Sequence, residues 1–283
     1  MQYYLMVTLS AILFAMQFLC QQKYEEKCGT GLSKALSFSL YKGLVVTVMM
    51  LILTGFQPEF EMFSFWISGL YALCYVLMIY FSLKAFSVAN LSVYSVFTML
   101  GGMVLPFILG VVFYNEGLTV FKIICNLLVV VAVLMNIRKG EGSKKAILYY
   151  MLVFTLNGSV GIISKVHESA LIAHTGPQSF MMYSGIWTII ICCIWLLKTG
   201  NKIPLLKGTE LICSAGDGVF NGMGDLLLLM ALAKLPASVQ YPLITGGVMV
   251  FSTIISMIRR EKLKPIEYAA AVVAFIASVM MAF

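Results

Sequence analysis

The chain has 283 residues, of which 61% are hydrophobic and 11% charged, with a net charge of +7 and a mean hydropathy of +0.96. So few polar side chains cannot cover a soluble surface, and the chain is expected in a bilayer. Its basic residues stand singly between apolar runs with no aromatic-laced stripe, which excludes a nucleic-acid surface and assigns the positive charge to the membrane interface.

A helix needs about 20 apolar residues to cross the hydrocarbon. Runs of that kind predict ten spans, at 3–20, 33–54, 62–85, 91–114, 118–137, 146–167, 176–199, 207–233, 236–258 and 265–283. The first begins at Tyr3 without a basic n-region or a small-residue cleavage site, so it is read as a retained span and not as a removed signal peptide. It carries Gln17, the second carries Lys42, and the third carries Tyr71 and Tyr75 on one face. Tyr94 and the pair Gly101-Gly102, followed by Pro106, belong to the fourth, and Asn157 to the sixth. Tyr183 and Trp187 repeat the i, i+4 aromatic spacing in the seventh, while Tyr241, Pro242 and Gly246-Gly247 lie in the ninth. The seven cysteines show no CxxC spacing and are read as packing residues. His167 and His174 fall at or beyond the end of the sixth span, where histidines are expected to be solvated, and no metal site is built from them.

The chain repeats itself. Ser37 to Gly43 reads SFSLYKG and Ser179 to Gly185 reads SFMMYSG, an offset of 142 that also relates Lys23 to Lys165. Tyr94 and Thr98 pair with Tyr241 and Thr245 at 147, and Gly101-Gly102 and Glu116 with Gly246-Gly247 and Glu261 at 145. The unit is five helices. An odd number of spans makes the second copy enter the membrane from the opposite side, which is the inverted-repeat arrangement of secondary transporters with a site near the midplane. The expected fold is therefore an all-α polytopic membrane protein of ten transmembrane helices in two inverted five-helix repeats, residues 1–137 and 146–283, joined by a basic linker at 138–145.

The polar eighth span holds GDGVFNGMGD, Gly216 to Asp225. Asp217, Asn221 and Asp225 are spaced i, i+4, i+8, so they share one helix face. Each Asp at a span centre costs roughly 2.5–3.5 kcal/mol and each Leu returns only about 0.3–0.6. The stripe must face protein or a wet cavity, where it either pairs with Lys42 as a buried tie or serves a transport pathway. Offset 147 places Tyr71, Tyr75 and Met78 opposite Gly218, Gly222 and Asp225, an aromatic face against an acidic one with glycines between. That combination suits an organic cation or the amino end of a zwitterion, although aromatic stripes also pack. Lys42 has Ser184 at its repeat position and so stands as an unmatched charge, able to bind a carboxylate or neutralise an aspartate. Gln17 and Asn157 either line the same cavity or make interhelical bonds, and the paired glycines serve packing or a hinge.

Gly222 to Asp225 also spells GxGD, the phrase of intramembrane aspartyl proteases. A protease needs two aspartates from different helices, and these two lie on one helix about 12 Å apart. No HExxH, DDxxD or Ser-His pair within the spans points to another membrane enzyme, and no cofactor is expected.

Ten spans in two repeats, with Glu116 and Glu261 just after spans four and nine in NEGLTVFKIICNLLVVVAVLM and REKLKPIEYAAAVVAFIASVMM, resemble the EamA-like branch of the drug/metabolite transporter superfamily. Phe14-Ala15 stands where that family often has Trp-Gly, and Asn126 and Ala132 replace its usual glycines in the fifth span. The resemblance implies secondary transport of a small organic solute by alternating access, and the two glutamates are read as acids favoured at helix N-termini. The residues expected to serve it are Tyr71, Tyr75, Asp217, Asn221, Asp225, Tyr183, Trp187, Lys42, Asn157, Gln17, Tyr94 and Tyr241 for binding. Asp217 and Asp225 with Gly101, Gly102, Gly246 and Gly247 are expected to serve coupling or gating. Basic residues concentrate in the odd-numbered connections, which puts those in the cytoplasm and both termini outside a plasma membrane. The partners expected are a small-molecule substrate and the lipid bilayer, with monomer and homodimer both open.

Overall fold

In hydrocarbon an apolar segment must satisfy its own backbone, and a helix does so without a neighbour. The computed structural model describes residues 2–29, 31–86, 91–117, 119–135, 144–200, 205–260 and 265–281, and within them every regular element is helical. In chain order these are α1 (Gln2–Cys28), α2 (Leu32–Leu53), α3 (Met62–Phe86), α4 (Leu91–Phe113) and α5 (Val120–Met135). The second half holds α6 (Lys144–Glu168), α7 (Pro177–Lys198), α8 (Thr209–Leu232), α9 (Ala237–Ile258) and α10 (Pro265–Met281). Of the expected linker at 138–145, residues 138–143 lie outside the described residues, as do Glu261 and the side chain of Tyr94, while Lys144 and Lys145 already belong to α6.

Six of these helices, α1, α2, α3, α6, α7 and α9, are long and apolar enough to cross a membrane among the described residues. Shorter apolar stretches, Thr98–Phe113, Ile123–Ala132 and Tyr268–Ala277, form the bodies of α4, α5 and α10. The remaining helix, α8, is diluted by Asp217, Asn221, Asp225 and four glycines. It is polar for a span because its partners are protein on most sides. Outward-facing Leu5, Leu70, Val112, Leu197 and Phe275 stay exposed, as a lipid-facing surface requires.

Against expectation, α1 runs eight residues past Cys20 to Cys28. Tyr24 explains the extension: its ring packs at 4.6 Å on Phe38 of α2 and its hydroxyl donates to the Lys34 carbonyl at 3.0 Å. That contact holds the otherwise polar QQKYEEKC turn as helix.

Helix packing follows a simple exchange. α1 lies on α8 as α6 lies on α3, α4 lies on α6 as α9 lies on α1, and α2 meets α8 as α7 meets α3. Three pairs, α2 with α7, α4 with α9 and α5 with α10, map onto themselves under the same shift of five. The α2–α7 crossing is made by the matched glycines: a Cβ on Gly43 would sit 3.1 Å from the Gly185 carbonyl oxygen, and one on Gly185 3.0 Å from that of Gly43. Close approach there needs glycine on both helices. Gly101 likewise abuts the Phe154 backbone, where any Cβ would clash, and a Cβ on Gly247 would come within 2.9 Å of Ala11.

The connections sort onto two faces. Those after α2, α4, α6 and α8 meet one another through Glu59 with Gly176 and Glu116 with Ala237. Those after α1, α7 and α9 meet through Lys27 with Thr209 and Arg259 with Gln22. The first will be called the even face and the second the odd face.

Candidate functional site

The acidic face of α8 turns inward. Asp217 is fully buried and Lys42, at the middle of α2, is 4% exposed. Their charges meet at 3.0 Å, Nζ to Oδ2. A lone carboxylate or ammonium at that depth is prohibitive, and the pair removes one charge with the other.

A polar network continues from this pair across the middle of the helices. Lys42 Nζ donates to the Tyr75 hydroxyl, which also accepts from Gln17 Nε2 at 3.2 Å. Gln17 Oε1 in turn accepts from Asn221 Nδ2 at 3.2 Å. Side chains of α1, α2, α3 and α8 are thereby joined at one level. A cavity opens beside the network where α2 crosses α7, lined by Lys42, Tyr71, Tyr75, Ser184, Thr188 and Asn221. Ser184 and Thr188 were not among the expected binding residues. The signal for Ser184 was the SFSLYKG/SFMMYSG repeat, which places it opposite Lys42, and Thr188 lies outside that repeat.

Asp225, two turns further along α8, is treated differently. Its Oδ2 accepts the Tyr71 hydroxyl at 3.2 Å, and among the described residues no cation lies in ion-pair contact with it. Tyr71 stacks on Tyr75 at 6.4 Å between ring centroids, with planes 13° apart, so the aromatic face of α3 is shared between the two acidic positions. The Tyr241 hydroxyl, on α9, donates to the Gly161 carbonyl at 2.8 Å.

Other expected residues stand elsewhere. Tyr183 donates to the Glu59 carbonyl at 2.8 Å and Trp187 to the Phe65 carbonyl at 2.9 Å. Both join Phe65 in an aromatic cluster between α3 and α7. Asn157 donates to the Thr98 carbonyl at 2.7 Å, tying α6 to α4 beside Gly102. The α8 glycines do not hold space for a ligand: Gly218 and Gly222 are filled by α2 through Val45 and Met49, and Gly224 by Phe14 of α1.

The even face corrects two readings. His167 is fully buried, not solvated, with Nε2 3.0 Å from Ser64 Oγ and Nδ1 3.3 Å from Glu168 Oε1. A Ser-His pair thus does lie within the helices. Ser64 is fully buried and already accepts the Thr175 amide at 2.9 Å, so the trio ties α3 to α6. Glu116 does not serve α5, the helix that follows it. Its two oxygens accept the amides of Ala237 and Ser238 at 2.8 Å each, capping α9, and Oε1 lies 2.9 Å from Lys165 Nζ. Burial by itself raises the pKa of the Glu116 carboxyl, but the Ser238 and Ala237 amides and the Lys165 ammonium outweigh it and hold the group below the usual carboxylate value.

Two stability predictions arise here. Lys42→Met strands the Asp217 carboxylate and is expected to cost about 3–5 kcal/mol in unfolding measurements, most of which Lys42→Met/Asp217→Leu recovers. Equal stability of the single variant and the wild type would contradict the buried pair. Glu116 has a lower pKa folded than unfolded, so it stabilises fully above the unfolded value near about 4.3 and loses that as pH falls through the folded value. The melting-temperature gap between wild type and Glu116→Gln should therefore hold from pH 7 to about pH 5 and close below about pH 4. A gap unchanged at low pH would contradict the assignment.

Comparison with known proteins gives one family and one fold. Residues 144–283 match the model of the EamA-like transporter family. No curated protein matches the chain in sequence. One solved structure, described only as the crystal structure of a protein, shares the fold with a TM-score of 0.75 at 13% identity, over 99% of this chain and 96% of that one. The second half of the chain is thus similar to the EamA-like transporter family, part of the drug/metabolite transporter superfamily.

Proposed function

We propose that the protein is a secondary transporter that moves a small organic cation or zwitterion by alternating access, with Asp225 holding the positive group of the substrate or a coupling proton. One observation carries this reading. Lys42 is committed to Asp217, so the midplane cluster of Lys42, Asp217 and Asp225 keeps one negative charge in excess, and that charge sits on Asp225 beside two tyrosines. A desolvated carboxylate edged by aromatic rings favours an organic ammonium group. Lys42 also lines the adjoining cavity, which has room for about one water.

The two halves are proposed to be inverted repeats. The exchange of packing partners by five helices and the reciprocal Gly43–Gly185 contact support a pseudo-two-fold axis through the α2–α7 crossing. The positive-inside rule orients the odd face to the cytoplasm in a plasma membrane, with both termini outside. Asp217 is assigned to structure in this reading, and Tyr71, Tyr75, Asn221, Gln17 and Tyr241 to the walls of the cleft. Tyr183, Trp187 and Asn157 support it from behind.

Proteoliposome counterflow with labelled amines, zwitterionic metabolites, anions and neutral solutes tests the reading. Asp225→Asn should reduce cation or zwitterion exchange at least about tenfold, as loss of a desolvated charge contact does, while remaining folded. Undiminished exchange by that variant would remove Asp225 from the mechanism.

A further inference from the structure

The even face is closed over the cleft in two layers. In the outer layer Glu116, from the connection after α4, holds Lys165 at the end of α6 and the first two amides of α9. Both charged side chains are 9% exposed, although they sit at a membrane face where lysines ordinarily reach water. One turn deeper, Tyr241 of α9 donates to Gly161 of α6. Below that lie Asp225 and Tyr71. Both ties join α6 to the start of α9 on the side of Asp225 that faces the even connections.

The first turn of α9 is built to detach. Pro242 has no amide hydrogen, so the Ser238 carbonyl lacks its usual i+4 partner and the helix ladder is interrupted one turn in. The turn before it depends on Glu116 for its free amides. The repeat supplies a comparison within the same molecule: Lys23 occupies in α1 the place that Lys165 occupies in α6, and Lys23 is exposed where Lys165 is buried. Equivalent residues in so different a state mark the two faces as different, with the even face closed at this position.

We propose that Glu116, Lys165 and the first turn of α9 form the gate of the even face, with Tyr241 as its inner layer, and that releasing this clasp admits solute to Asp225 from that side. The inference rests on the transporter reading above, and names the element that switches access to its site. Breaking a buried ion pair that also caps a helix shifts the balance between closed and open states without touching the site itself.

Hydrogen–deuterium exchange of the purified full chain in nanodiscs, compared between wild type and Lys165→Met, tests it. Exchange is expected to rise about tenfold in the first turn of α9 and also in the cleft-lining segments 71–78 and 217–226. Lys165→Arg, which keeps the cation, should restore the wild-type pattern, and Lys23→Met should leave it unchanged. A rise confined to the first turn of α9, with the cleft segments protected as before, would show a helix cap and overturn the gate. Failure of Lys165→Arg to restore protection would overturn it as well. Should Lys165→Met not fold, Glu116→Gln is read in its place with the same two outcomes. Exchange needs no substrate, so an absence of solute flux would count against the transporter reading and leave the gate result standing.

Discussion

A carboxylate in the middle of a bilayer must find a cation, a proton or water, and the rest of this molecule is arranged around how two aspartates on one helix meet that demand differently. Asp217 takes Lys42, and the pair is sealed between α2 and α8. Asp225 takes a tyrosine hydroxyl and, among the described residues, no cation in ion-pair contact. The glycines of α8 bring α1 and α2 close enough to enforce this division, because Gly218 admits α2 beside Asp217 and Gly224 admits α1 beside Asp225. Packing thus decides which aspartate is paired with Lys42 and which is not.

The same economy governs the even face, where carboxylates from one pair of helices satisfy the exposed amides of another. Glu59 accepts the Gly176 amide at the start of α7, and Glu116 accepts those at the start of α9. Each bond places a negative charge at the positive end of a helix dipole. Each also joins the two halves of the chain, so the contacts that stabilise helix ends are the contacts that must yield if the halves rock against each other.

Much of the fold was legible in the sequence because hydrocarbon thickness sets a length that apolar runs must meet, and the predicted ends of α2, α3, α4, α7, α8 and α9 fall within two residues of those observed. The stripe Asp217, Asn221, Asp225 was legible for a similar reason, since helical periodicity alone puts the three on one face. Partner choice was less so. Lys42 with an aspartate was one of two open readings, and nothing in the spacing said which aspartate. Glu116 with α9 and Ser64 with His167 are contacts over 121 and 103 residues of chain, with no local pattern to announce them. Tyr183 and Trp187 share the spacing of Tyr71 and Tyr75, but periodicity does not say toward which neighbour a face turns. In the fold they face the start of α3 and not the acidic stripe.

The central claim is that the charge left over on Asp225 is a binding group. Thermal unfolding of the purified protein with cationic, zwitterionic, anionic and neutral metabolites, set beside Asp225→Asn, tests it most directly, because a ligand of the folded state raises the melting temperature. The account predicts stabilisation by cations or zwitterions that Asp225→Asn loses. Stabilisation of both proteins alike by anionic or neutral compounds would contradict it and move the site to Lys42 and the hydroxyl-lined cavity at the α2–α7 crossing.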